Sequence, residues 1–373
     1  MQKSILWLVV VLLFVQCKDE EEENDQVVDS VCVDNENLNA ISERNFGMGF
    51  GTWLYAPTVE AREETYDYVY ANGDIYLEHM DAGIPWQAWI DNTTLPQSFV
   101  DEVDFKVSKR PTDRQLVLSV SVLNSGRDDL KESWDGVPLP YDSINNPMIE
   151  DAYFQHVKYL VERLDPDYLI ASIESNDFLV NSPEKWDAFK ALMANVRFRL
   201  KEEFPELPLS ESITLHNYYE VQVEEPAALV AEVSQLISEM DFAAISFYPF
   251  FKNLTDAADF QEAFDFLHGE VDLPIAFVET NHLAEDLLIP ALNVDIPGDP
   301  CGQKTYLESL LLNAHDQNYA FVIWWAHRDY DALWETFPEE VRDLGRIWRD
   351  TGVLDEDGNA RPAAQTWQRL LEL

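Results

Sequence analysis

The chain has 373 residues, 46% hydrophobic and 12% aromatic, which is enough for a sizeable core in one large domain or two ordinary ones. Its 70 acidic residues against 25 basic ones give a formal net charge of -45. Such a surface repels phosphate backbones and anionic lipid, which argues against a nucleic-acid partner and disfavours acidic sugars unless a local basic pocket receives them.

Residues 1–16 read MQKSILWLVVVLLFVQ, one Lys followed by an apolar run over 5–15. The run has the length of a signal-peptide core and is short for a bilayer span. It ends at Cys17, after which the chain turns abruptly acidic (KDEEEEND). An apolar stretch ending on a single Cys resembles the lipobox of bacterial lipoproteins, with Gln16 and Phe14 where a small residue and Leu are preferred. The acidic run resembles the surface-export signal of lipoproteins of the Bacteroidetes group. These resemblances imply removal of a signal peptide over 1–16, acylation of Cys17, and a lipid anchor in the outer membrane from which the domain can face outside. Ordinary secretion with cleavage nearby is the alternative, and export follows either way.

From residue 17 to 39 the sequence is polar and aperiodic, and a flexible tether is expected. Cys32 and Cys301 remain. In an oxidising compartment they can form a disulfide, or they can be two unrelated thiols; the sequence leaves this open. No Cys or His cluster has metal-ligand spacing, so neither a metal nor another cofactor is expected.

Beyond the tether, short runs rich in Val, Ile, Phe and Tyr alternate with longer amphipathic segments, which implies repeated β-α units and a parallel sheet. Strands are predicted over 46–53, 74–79, 115–123, 168–174, 207–215, 242–248, 274–279 and 320–325. Helices are predicted over 151–164, 183–203, 226–240, 257–267, 303–317 and 362–373, several opening on Ser, Asp or Pro. Eight strands at this spacing predict an α/β fold, a (β/α)8 TIM barrel over 40–373. An open doubly wound sheet lacks the Gly-rich phosphate loop it would need. A monomer is expected.

In such barrels the chemistry sits at the carboxyl ends of the strands. The fourth predicted strand ends in Ile173-Glu174-Ser175-Asn176 and the seventh in Val278-Glu279-Thr280-Asn281-His282. Two facing carboxyls are what glycoside hydrolysis requires, one protonated to donate to the leaving oxygen and one ionised to attack or to activate water. Aromatic side chains that can pack on sugar C–H faces follow several strands: Trp53, Trp86, Trp89, Tyr218, Tyr219, Tyr248, Phe250, Trp324 and Trp325. His79, His216, His282 and His327 fall at similar places and can bind sugar hydroxyls.

Over residues 45–373 the pattern resembles the clan-A glycoside hydrolases. The strings ISFYPFF (245–251), FVETNH (277–282) and TGVLDEDGNARPAAQTW (351–367) look similar to barrels related to family 53, the endo-β-1,4-galactanases. The resemblance implies Glu174 as acid/base and Glu279 as nucleophile of a retaining enzyme acting on a neutral carbohydrate. The chain departs from the clan in having Ile173 where Asn precedes the acid/base, and Glu78-His79 where strand two often brings an Arg. Asn176 and Asn281 are the candidate substitutes for the missing Asn. A barrel that binds glycans at the cell surface without cleaving them is the alternative these departures favour.

Overall fold

The computed structural model describes residues 32–373; the expected signal peptide over 1–16, Cys17 and most of the acidic segment lie outside the described residues. Its strands are β1 (Gly47–Gly51), β2 (Ile75–Met80), β3 (Gln115–Val120), β4 (Tyr168–Ile170), β5 (Leu209–Ser210), β6 (Ser212–Thr214), β7 (Ala243–Phe247), β8 (Ile275–Thr280), a hairpin of β9 (Leu287–Ile289) and β10 (Val294–Ile296), and β11 (Phe321–Trp324). The large sheet runs β5-β4-β3-β2-β1-β11-β8-β7-β6, with each adjacent pair parallel. Its two ends, β5 and β6, are halves of the single strand predicted over 207–215. They part at Glu211, whose buried carboxylate pairs with Arg197 and accepts a hydrogen bond from Ser175 Oγ. With those halves joined through Glu211, the ring closes as a (β/α)8 barrel, as the spacing predicted.

Side chains alternate along each strand between two environments. Ile75, Leu77, Val117, Ile170, Ala244, Ala276, Val278, Phe321 and Ile323 fill the barrel interior. Met48, Phe50, Tyr76, Leu118, Leu169, Phe277, Val322 and Trp324 point outward under the helices. Interior residues of β1 must be small where β2 crosses it: a Cβ on Gly49 would lie 1.7 Å from the Ile75 carbonyl oxygen. Several of the surrounding helices start at a capping side chain. Asn146 caps Pro147–Leu164, Asp256 caps Ala257–Glu270 and Asp299 caps Pro300–Asp316, each accepting from backbone N–H groups of the first turn. Among the described residues no helix is long and apolar enough to cross a membrane.

Residues 35–39, expected to belong to a flexible tether, are ordered against the domain. Residues Glu36–Asn39 form a helical turn capped by Asn35, and Leu38 is fully buried. Asn35 N–H donates to Glu308 (3.1 Å), and the Leu38 carbonyl accepts from Arg369 (3.3 Å). Cys32 is bonded to Cys301 across 269 residues, which resolves the choice between a disulfide and free thiols. One buried Leu and one covalent bond thus turn the last part of an acidic, aperiodic stretch into part of the domain. Replacing both cysteines by Ser is expected to remove about 2–4 kcal/mol of stability. Thermal unfolding under oxidising conditions checks this, and an unchanged melting temperature would mean that packing around Leu38 alone holds the segment.

Candidate active site

Chain direction puts the carboxyl ends of all eight barrel strands on one face, and two of them are shaped to aim a carboxylate inward. After β4 the alternation that turns Tyr168 and Ile170 toward the barrel interior continues to Glu174, which adopts the left-handed conformation (φ 55°, ψ 48°) at the start of the helix Ser175–Asn181. A non-glycine residue held there costs of order 1–2 kcal/mol, and such strain is concentrated at functional sites. In β8 the register with β7 slips between Phe277 and Glu279. That bulge re-aims Glu279 toward the mouth, just above inward-facing Val278.

The two carboxyl groups are equally sheltered, each 14% exposed, but their partners differ. Glu174 Oε2 accepts from Arg127 Nη2 (3.0 Å) and Nε (3.3 Å), and its Oε1 from Ser246 Oγ (2.8 Å). Glu279 accepts from the Tyr248 hydroxyl, with His79 Nδ1 3.9 Å from its other oxygen. Burial first, and the charge of Glu174 second, push the Glu279 carboxyl up to about 8. Asp177, beside Glu174 on the next helical turn, is pushed up to about 7 by burial and then by the same charge. His79 and His216 are held below the usual imidazole range by burial, His216 at about 4, so both are neutral hydrogen-bonding groups near pH 7.

Around this pair stand two unlike walls. One is charged: Lys131 Nζ donates to Asp81 (2.8 Å), and Asp81 lies 3.9 Å from His79 Nε2. The other is aromatic: Tyr248 packs with Trp348 (ring centroids 5.7 Å apart), and half-exposed Phe251 with both His216 (5.0 Å) and Trp348 (6.2 Å). Trp325 lies between Trp53 (4.9 Å) and His79 (5.5 Å). Trp53 Nε1, His79 Nδ1, His216 Nδ1 and Trp348 Nε1 are buried and have no hydrogen-bond partner. Unsatisfied buried donors call for an explanation, and a ligand's hydroxyls would supply one.

Of the residues expected here, the structure brings together Glu174, Glu279, Trp53, His79, His216 and Tyr248. The others lie elsewhere. Trp86 is fully buried against Tyr153 and donates to the Lys131 carbonyl. Asn176 is spent on the Thr214 backbone, accepting from its N–H and donating to its carbonyl, and so pins the helix Ser175–Asn181 to β6. Tyr218 packs on Phe266 and bonds Ser234. Asn281 ties the Trp325 carbonyl to Thr351. His282 sits among Phe260 and Tyr306, and His327 against Tyr68. Trp324 points outward and donates to the Thr351 carbonyl. The period of two in β11 makes its neighbour Trp325 the inward one, after Phe321 and Ile323. The same alternation in β7, Ala244 then Ser246 then Tyr248, carries the signal for Ser246. Arg127 comes from a loop of no regular period, and nothing in the local sequence marked it.

Away from the cleft, Asp329, Asp331 and Asp350 come within metal-binding distance of one another. Arg361 pairs with Asp329, and Arg349 pairs with Asp331 and Asp350, so their charge is already compensated.

Fold and site together define a (β/α)8 barrel with a two-carboxylate cleft, its acids carried at the ends of the fourth and seventh barrel strands. Solved structures share the fold. A GH53 catalytic domain from Ignisphaera aggregans is 17% identical over 80% of this chain and 84% of its own, with a TM-score of 0.53. A fungal β-1,4-galactanase is 14% identical over 86% of this chain and 99% of its own, at 0.58. A Bifidobacterium longum GH5_18 protein, solved with Manβ1-4GlcNAc, is 14% identical over 88% of this chain and 78% of its own, at 0.63. No protein-family model matches the chain, and no curated protein does.

Proposed function

We propose that the protein is a glycoside hydrolase that cleaves a neutral polysaccharide or oligosaccharide by a retaining, two-carboxylate mechanism. The observation that carries this reading is the pair itself. Glu174 and Glu279 stand in one sheltered cleft at the ends of the fourth and seventh barrel strands, each carboxyl 14% exposed and each accepting from a hydroxyl, that of Ser246 and that of Tyr248. Hydrolysis uses such a pair with one proton between its two carboxyls. Glu279, held by Tyr248, attacks the anomeric carbon; Glu174 protonates the leaving oxygen and then deprotonates the water that releases the sugar. Uncharged His79 and His216, with the indole N–H groups of Trp53 and Trp348, bind hydroxyls, and Trp325 offers its face to a sugar ring.

The structural likeness to a fungal β-1,4-galactanase and to the GH5_18 protein solved with Manβ1-4GlcNAc supports a β-linked substrate. The protein acts at the cell envelope, anchored through lipid on Cys17. Release of reducing ends from a panel of plant and algal polysaccharides, galactan and mannan among them, tests the reading. Cleavage of none, with retention of one on an affinity gel, would instead identify a surface glycan-binding protein. The Arg127–Glu174 ion pair and Ile173 are the features that favour that second reading.

Trp325→Ala is expected to raise KM roughly 10-fold, or about 1.4 kcal/mol, with a smaller change in kcat. A fall in kcat alone in steady-state kinetics would take Trp325 out of substrate binding.

A further inference from the structure

The first strand of a parallel barrel starts on the face opposite the cleft, and a chain that enters directly at β1 comes from that side. This chain takes another route. Cys32 is bonded to Cys301, the second residue of the helix Pro300–Asp316, which follows the loop after β8. That helix starts on the cleft face and runs down the barrel wall to the turn before β11. Its first turn is tied to the cleft side, where Gln303 Nε2 donates to the Thr351 (3.1 Å) and Gly352 (2.9 Å) carbonyls of the loop after β11. Residues 32–46 follow the helix downward. Asp34 pairs with buried Lys304, and Asn35 N–H donates to Glu308 (3.1 Å). Asn45 Nδ2 reaches the His315 carbonyl (3.0 Å) at the far end, beside Gly47, whose N–H donates to the Ala320 carbonyl (3.0 Å). Contacts thus advance along segment and helix together. The polypeptide before Cys32 therefore joins the domain at the rim of the cleft, a barrel height away from the start of β1.

We propose that this strap, closed by the Cys32–Cys301 bond, sets the membrane anchor on the same side of the barrel as the cleft, so that the cleft works on saccharide chains held close to the bilayer. The inference rests on the lipid anchor and the saccharide cleft proposed above. Cys17 lies outside the described residues, but its separation along the chain is fixed. Fifteen residues, 17–31, precede Cys32, and however they fold they span at most ~50 Å. The 17 residues of the helix Pro300–Asp316 cover about 25 Å at 1.5 Å per residue. Turning the opposite face to the bilayer would lead the chain back along that wall, about half of its whole reach. Turning the cleft face to the bilayer uses none of it. The disulfide matters because the apolar hold on the strap is Leu38, farther down, whereas Val33 is 87% exposed. Above Leu38 the strap is fixed by the polar contacts of Asp34 and Asn35 and by the covalent bond, and the bond is what holds the exit point at the rim. A bulky soluble polymer has to enter from the bilayer side, so chains lying at the membrane surface are favoured over it.

The test places a fluorescent donor at either end of the helix Ala257–Glu270, in the full chain held on vesicles whose headgroups carry the acceptor. Thr255→Cys puts the donor on the cleft side, after β7, and Asp272→Cys puts it on the opposite side, before β8; both positions are exposed. Energy transfer from position 255 is expected to exceed that from 272 by roughly twofold, for sites about 20 Å apart along the helix. Equal transfer, or the reverse order, overturns the proposal. Replacing Cys32 and Cys301 by Ser should narrow the difference, and a difference of unchanged size would refute the part given to the disulfide. The mass of the amino-terminal peptide reports lipid on Cys17 separately. If none is found the anchor reading fails, and the same comparison on nickel-chelating vesicles that hold residues 17–373 by an amino-terminal histidine tag still decides the geometry. A protein that cleaves nothing would remove the hydrolase reading and leave the order of transfer as it stands.

Discussion

Glu279→Gln is expected to lower hydrolysis by about 10⁴-fold or more and, at the same time, to make the protein more stable in alkali. With Glu279 as the proposed nucleophile, its removal leaves only binding and the acid, so the loss is in kcat. The stability gain follows from the same burial that shapes the site. In the unfolded chain this carboxyl titrates near the ordinary glutamate value of 4.5, whereas in the fold it is raised to about 8, by burial first and the charge of Glu174 second. Between those values the folded protein binds a proton that the unfolded chain does not, so stability falls as pH rises through that window. Gln has no such ionisation. The melting temperatures of variant and wild type should therefore be close below pH 4.5, diverge as pH rises, and differ above pH 8 by several degrees, on the order of 2 kcal/mol. Parallel melting curves at every pH would mean that Glu279 is not buried in its ionised form, and an activity loss under tenfold would remove it from the chemistry.

Much of this architecture was legible in the residues, and the illegible parts have physical causes. A parallel barrel is buried on both faces of its strands, so its strands read as apolar runs, and the eight runs predicted from 46–53 to 320–325 coincide with the eight barrel positions. The two glutamates were found because each closes such a run. Selecting the inward face was harder. Trp324 and Trp325 are adjacent and chemically identical, and only the alternation through Phe321 and Ile323 shows which one enters the cleft. At Glu279 that rule would itself have failed, because the bulge after Phe277 resets the phase. Asn176 and Asn281 are polar residues beside the acids, yet each satisfies backbone groups that would otherwise be buried without partners. Arg127, the strongest partner of Glu174, lies 47 residues away in sequence. Its role depends on how a loop folds back over the barrel mouth, and no local pattern encodes that.

Glu174→Ala gives the second large effect and assigns the roles of the two acids. On a natural sugar–sugar linkage kcat/KM is expected to fall by about 10³-fold, since the leaving alkoxide then departs without a proton. The loss should shrink for aryl glycosides whose phenol is acidic enough to leave unaided, because there the acid contributes little. Azide should restore turnover by entering the space vacated by the side chain and attacking the glycosyl-enzyme held on Glu279. The product would be a glycosyl azide with the anomeric configuration of the substrate, since two inversions have occurred. With Glu279→Ala, azide attacks the substrate directly, one inversion occurs, and the product has the opposite configuration. Nuclear magnetic resonance of the two azides distinguishes them. If retention and inversion appear in the reverse variants, Glu174, paired with Arg127, is the nucleophile and Glu279 is the acid. In that case the Arg127–Glu174 ion pair is the reactive arrangement itself.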